Sequence, residues 1–125
     1  MNLVFDTSLL IDNLRGGKQL ENVYLNTKQD DRLLLPTIVI TELFSGLSSK
    51  EANIIRKIKL LVSHFEKIQL TESIAQETGV LIRNLGKIVE LPDFIIAATA
   101  MEIGAQVVTL NNKHFQKIPG VGVWE

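Results

Sequence analysis

The sequence predicts an α/β fold, a three-layer sandwich in which helices cover both faces of a mostly parallel central sheet. Short apolar runs (Leu3-Val4-Phe5, Leu33-Leu34-Leu35 and Val107-Val108-Thr109-Leu110) alternate with longer segments of helical periodicity. Each run is closed by turn or capping residues, as expected of buried strands that hand the chain to a helix. In open sheets of this kind, ligand sites lie at the carboxyl ends of the strands.

Leu3-Val4-Phe5 forms the first strand and ends in Asp6-Thr7-Ser8, polar residues suited to starting a helix that carries Leu9, Leu10 and Leu14. Gly16-Gly17 breaks that helix, and a second amphipathic segment covers about Gln19 to Thr27, with Leu20, Val23 and Tyr24 on one side. Asp30-Asp31 reads as a turn before Leu33-Leu34-Leu35, a strand closed by Pro36. Thr37 can cap a helix to about Leu47, which Gly46-Leu47-Ser48-Ser49 ends. A long helix follows from about Lys50 to Phe65, and Ile68-Gln69-Leu70 is read as a brief strand. Thr71 caps a helix to about Leu85, stopped by Gly86. Pro92 favours a helix start, and the helix from about Asp93 to Ile103 ends at Gly104. After the strand Val107 to Leu110, residues Asn111 to Pro119 form a loop with one turn, and Val121 to Trp124 a last short strand.

At 125 residues the chain is long enough for one domain, spanning 1–125, with a proper core. Hydrophobic residues at 46% and charged residues at 22% exclude a disordered chain. The absence of cysteine removes disulfides, thiolate metal sites and cysteine nucleophiles. No secretory pattern opens the sequence, and no apolar run reaches the roughly 20 residues of a bilayer helix, so the expectation is a cytoplasmic protein with no membrane partner. A net charge of −1 disfavours a large non-specific nucleic-acid binder, but leaves room for an enzyme with a local basic rim.

Three acids sit where an ordinary domain does not place them. Asp6 ends the first strand, where it suits a ligand site and a helix cap equally. Glu42 falls on the helical wheel between Ile38 and Val39, at the border of an apolar arc that includes Ile40, Leu43, Phe44 and Leu47, with Gly46 one turn along. A snorkelling boundary glutamate is the plain alternative. Asp93 shares its face with Ile96, Ala97, Ala100 and Met101, whereas Ile95, Thr99 and Glu102 lie opposite; a first-turn acid suits the helix dipole, but the dipole does not explain one aimed at the core. Asn111, directly after the run Val107 to Leu110, can offer a carbonyl oxygen or be a simple turn residue. Glu90 reads as solvated. Converging carboxylates and an amide want a hard cation, Mg²⁺ or Mn²⁺. Only His64 and His114 could serve zinc, and they lie far apart in the sequence without a ligand motif.

Four segments in order carry a resemblance. They are Val4-Phe5-Asp6-Thr7-Ser8-Leu9-Leu10-Ile11, Thr41-Glu42-Leu43 with Gly46, Pro92-Asp93-Phe94-Ile95-Ile96-Ala97-Ala98-Thr99-Ala100, and Val108-Thr109-Leu110-Asn111-Asn112-Lys113-His114-Phe115. The chain resembles the PIN-domain family over essentially its whole length, and most specifically the VapC-type toxins of toxin–antitoxin pairs. The resemblance implies a PIN-like sandwich and a metal-dependent endoribonuclease that hydrolyses RNA, commonly structured or transfer RNA. It also implies a small antitoxin partner and a homodimer. The carried-over catalytic residues and metal ligands are Asp6, Glu42 (directly or through water) and Asp93, with Asn111 a weaker ligand. Thr7, Ser8 and Thr109 would support the surrounding loops. The family often carries another acid near Asn111 and His114, and neither is acidic here. That departure keeps a second reading open, a catalytically weakened PIN-like module that binds protein or RNA. Basic residues expected at the rim are Arg15, Lys113 and Lys117.

Overall fold

The computed structural model describes residues 1–46 and 50–125. Among them, β1 (Asn2–Phe5), β2 (Arg32–Pro36), β3 (Glu66–Ile68), β4 (Gln106–Val108) and β5 (Gly122–Val123) form one sheet. Its order is β3-β2-β1-β4-β5, and every neighbouring pair is parallel. The helices are α1 (Thr7–Leu14), α2 (Gln19–Asn26), α3 (Thr37–Ser45), α4 (Ala52–Val62), α5 (Glu72–Leu85), α6 (Leu91–Ile103) and α7 (Asn112–Gln116). None is long and apolar enough to cross a membrane.

The apolar run of β1 becomes the central strand because it has no polar face to present to water. Leu3, Val4 and Phe5 are fully buried, and Phe5 packs edge-to-face on Phe65 at 4.9 Å between ring centres. From β1 the chain steps outward through β2 to β3, then crosses back to β4 and β5. The right-handed rule for parallel crossovers puts α1 to α4 on one face and α5 to α7 on the other. Most of the packing agrees, since α1 contacts α2, α3 and α4 while α6 contacts α5 and α7; α3 also reaches α6. The winding reverses at β1, so the crevice of an open parallel sheet belongs at its carboxyl end.

Several boundaries differ from expectation for physical reasons. The third strand is Glu66–Ile68, two residues early, with Leu34 beside Glu66 and Pro36 beside Ile68; Leu70 is 51% exposed. This edge strand carries charge, and the exposed Arg32–Glu66 ion pair spans it to β2, so apolar periodicity could not mark it. The long helix is shorter at both ends, Ala52–Val62. Pro36 occupies the cap position of α3 and Thr37 is its first helical residue, so Thr37 is not the cap. Thr71 does cap α5, its hydroxyl accepting from Ile74 N at 3.2 Å.

Phe44, expected on the apolar arc, is 39% exposed. The expected helix end at Leu47-Ser48-Ser49, and the place of Leu47 on that arc, lie outside the described residues. Helix α6 has no wet face over most of its length. Phe94 to Ala100 are all buried, so Ile95 and Thr99 are core residues rather than the exposed side that a helical wheel suggests. Thr99 satisfies its hydroxyl on Ile95 O, and the alanines let α6 lie close against β1 and β4. Gly104 ends the helix in the left-handed region (φ 64°), a conformation that favours glycine.

Candidate active site

Asp6 follows β1 directly, and its backbone N–H extends the β1–β4 ladder by donating to Val108 O at 2.9 Å. It occupies the cap position of α1, yet its side chain makes no capping bond. Instead Oδ2 accepts from Ser8 Oγ at 2.9 Å and from Thr109 Oγ1 at 2.7 Å. Asp6 is only 3% exposed, and among the described residues no cationic side chain pairs with it. A carboxylate buried against two neutral hydroxyls is left without a compensating charge, which is costly.

The other two acids face the same place from different elements. Glu42, half-buried on α3, accepts at Oε1 from Thr7 Oγ1 at 2.5 Å. Burial pushes its pKa above the ordinary 4.5; the charges of Asp6 and Asp93 push the same way, and the Thr7 hydroxyl opposes them. Asp93 stands in the first turn of α6, its side chain 17% exposed, with Oδ2 3.3 Å from His114 Nδ1. Its pKa is raised above 3.8, chiefly by burial and then by the Asp6 charge, with His114 opposing.

The hydroxyls tie these pieces together. Ser8 Oγ accepts from Leu110 N at 3.0 Å, and Thr109 Oγ1 accepts from Asn111 N at 2.8 Å. The turn after β4 is thereby fastened to the turn after β1. Asp6, Thr7, Ser8, Glu42, Asp93, Asn111 and His114 all line one open cleft of about 450 Å³, with Thr109 behind Asp6.

Two further lining residues, Asp12 and Glu90, come from outside the expected set or its expected setting. Asp12 follows Ser8 on α1 by four positions, a helical spacing that could have drawn attention to it, and Arg15 caps the end of the same helix. Part of Asp12's role is structural: its Oδ2 accepts from Gln19 N at 3.2 Å, and a Cβ at Gly17 would sit 2.1 Å from that same oxygen. Glu90, read as solvated, is exposed but lines the cleft from the cap position of α6. Arg15 is on the cleft as expected of a rim residue. Lys113 lines an adjoining depression with Leu110, Asn111 and His114, and Lys117 is not among the residues lining either.

The donors fit a hard cation chemically: three carboxylates, two of them made reluctant to ionise by burial and by the Asp6 charge, with few positive charges nearby. Among the described residues, no three His, Cys, Asp or Glu side chains are already gathered as a ligand cluster. Thr7 holds Glu42 and His114 contacts Asp93, so such a set suits a hydrated ion reached partly through water.

Comparison with known proteins agrees with this architecture. A relative named Ribonuclease VapC, from Rickettsia bellii, is 30% identical over 131 residues, covering 98% of this chain and 95% of that protein. A toxin–antitoxin complex from Klebsiella pneumoniae contains a chain of similar structure (TM-score 0.77, 27% identity, 95% of this chain and 94% of that one). VapBC-1 from nontypeable Haemophilus influenzae shares the fold at TM-score 0.83 and 24% identity, covering 100% and 98%. The sequence pattern of the PIN domain matches residues 3–121, and the chain therefore belongs to the PIN-domain family.

Proposed function

We propose that this chain is a metal-dependent endoribonuclease, the toxin of a toxin–antitoxin pair, acting on RNA phosphodiester bonds with structured RNA such as tRNA as the substrate class. The observation that carries the reading is the uncompensated, buried Asp6 carboxylate at the sheet's switch point, joined in one cleft by Glu42 and Asp93. The ribonuclease name of the Rickettsia bellii relative supports it, and the Klebsiella pneumoniae complex supports a small antitoxin as partner. A homodimer and a cytoplasmic location complete the proposal.

Asp6, Glu42 and Asp93 would hold Mg²⁺ or Mn²⁺, with Asn111 as a weaker oxygen donor. When bound, such an ion supplies a water of lowered pKa and neutralises charge on the phosphate. The protein's own contribution is orientation. Ser8 and Thr109 fix the Asp6 carboxylate, Thr7 fixes Glu42, and His114 steadies Asp93. Arg15 adds positive charge at the mouth of an otherwise acidic cleft.

Titrating Mg²⁺ or Mn²⁺ into the protein with a fluorogenic RNA should give turnover that rises with the ion and disappears with chelator. The second reading, a binding module with weakened catalysis, is favoured by the amide and imidazole of Asn111 and His114 where relatives of this kind often carry an acid. Tight RNA binding with no ion-dependent turnover would select it. Thr109→Val removes the shortest hydroxyl contact to Asp6, and Mn²⁺ affinity by calorimetry should fall roughly 10- to 100-fold with the fold intact. Unchanged affinity would show that Asp6 needs no orienting.

A further inference from the structure

The cleft that holds the three acids is poorly suited to attract RNA by itself. Five carboxylates line it, those of Asp6, Asp12, Glu42, Glu90 and Asp93, and the basic groups among its lining residues are Arg15 and His114. One divalent ion offsets only part of that charge. A polyanionic substrate needs its attraction from a surface outside the cleft, because contacts to phosphates supply essentially all of non-specific nucleic-acid affinity.

Helix α4 carries such a surface. Its eleven residues include Arg56, Lys57 and Lys59 and no acid, in a chain of net charge −1. On the helical wheel Ile54, Ile58, Leu61 and Val62 fall on the inward arc, and the last three are buried. The three cations fall on the outer half and are exposed. Among the described residues none of them forms an ion pair within 4.0 Å. Two acids border this face. Glu51 stands at the cap position of α4, and Glu21 shares a depression with Lys57 but pairs with Lys18 at 3.7 Å. Like charges one turn apart, as Arg56 and Lys59 are, weaken a helix rather than support it, so folding gives no reason for the cluster. On its inner side α4 packs against α1 and α3, the helices that carry Thr7, Ser8 and Glu42. The cations thus stand one helix width, about 10 Å, outside the wall of the cleft.

We propose that the outer face of α4 is a docking surface for the phosphate backbone of a folded RNA, at a distance from the bond that is cut. The proposal rests on the ribonuclease reading for its choice of polyanion, and adds to it how an acidic cleft is supplied with substrate. A folded RNA is broad enough to touch α4 and the cleft together. A dinucleotide, whose one phosphate is the scissile one, is not. Such a surface reads charge and shape rather than sequence. An anionic lipid surface is a poorer fit, because the apolar side of α4 is already in the core and its outer face shows one exposed large apolar residue, Leu60.

The test measures binding of a labelled hairpin RNA by fluorescence anisotropy, with chelator present so that no ion-dependent cutting occurs. The triple variant Arg56→Gln, Lys57→Gln, Lys59→Gln should bind the hairpin about tenfold more weakly and flatten the slope of log affinity against log salt by about 2, the share of three phosphate contacts. Its Tm should be unchanged or higher, which separates lost binding from lost folding. The variant Arg83→Gln, Lys87→Gln removes exposed cations from and beyond α5, on the opposite layer, and should leave the slope as it is. With Mn²⁺ restored, the α4 variant should show a raised KM on the hairpin with kcat little changed, and wild-type kinetics on a fluorogenic dinucleotide. An unchanged salt slope in the α4 variant would overturn the surface. So would an equal loss in the α5 variant, or an equal penalty on hairpin and dinucleotide. A variant that binds the hairpin normally but loses an acidic protein or anionic vesicles would give the face to that partner instead. Wild-type protein that binds the hairpin and cuts neither substrate would refute the nuclease reading alone, while the anisotropy still decides the surface.

Discussion

Asp93→Asn is expected to lose metal-dependent RNA cleavage by roughly three orders of magnitude, about 4 kcal/mol of transition-state stabilisation, while the metal-free protein melts at a higher temperature. Both halves come from one environment. Burial and the neighbouring Asp6 charge raise the Asp93 pKa above its ordinary 3.8 even with His114 opposing, so the folded protein near neutral pH carries a charge it would be more stable without. Asparagine keeps the shape and removes the charge. A gain of about 1 kcal/mol, roughly 4 °C in Tm, is the scale expected when a functional site's strain is relieved. An inactive variant with a lowered Tm would point to damage rather than lost chemistry. A variant that cuts RNA as well as the wild type would remove Asp93 from the mechanism.

Divalent ion should reverse the pH dependence of stability that the acids create. Without ion, the neutral forms of Glu42 and Asp93 are the favoured folded forms. Their contribution is complete below the ordinary carboxylate values of 4.5 and 3.8 and is lost as pH rises through the raised folded values. An ion that binds the ionised carboxylates works the other way, because protons compete with it. At a hundred times its Kd it would add about 2.7 kcal/mol, a gain that shrinks as the solution is acidified. Thermal melts from about pH 3.5 to about pH 8, with Mn²⁺ and with chelator, measure both arms. Glu42→Gln and Asp93→Asn melts run in parallel separate these two groups from the protein's other acids. An ion-induced rise in Tm that is absent, or flat with pH, would deny that these side chains grip a cation.

Much of this site could be read from the order of residue types. Asp6 was marked by its position at the end of an apolar run, because the carboxyl edge of a buried parallel strand is where open sheets expose polar groups. Glu42 was marked by its place at the margin of a helical stripe, and the structure leaves it half-buried there. Asp93 was marked for a partly mistaken reason. A wheel assumes one wet face, whereas α6 is enclosed almost all round, so the direction of Asp93 follows from where α6 begins at the cleft. What sequence could not supply was pairing across distance. Nothing local says that His114 contacts Asp93, that Thr7 holds Glu42, or that Asp12 is pinned over Gly17. β3 is expected two residues late for a related reason: Glu66 and Lys67 signal surface, and only the ladder with β2 makes them part of the strand.

The bond from Thr109 to Asp6 joins residues 103 positions apart. A ribosome that has delivered β1, α3 and even α6 has therefore made all three acids without the turn that fastens the first of them. That turn follows β4, which is made after all three acids and pairs with β1. The three acids are therefore made before the strand that completes their setting, and the Asp6 carboxylate gains its Thr109 partner only once β4 has paired with β1.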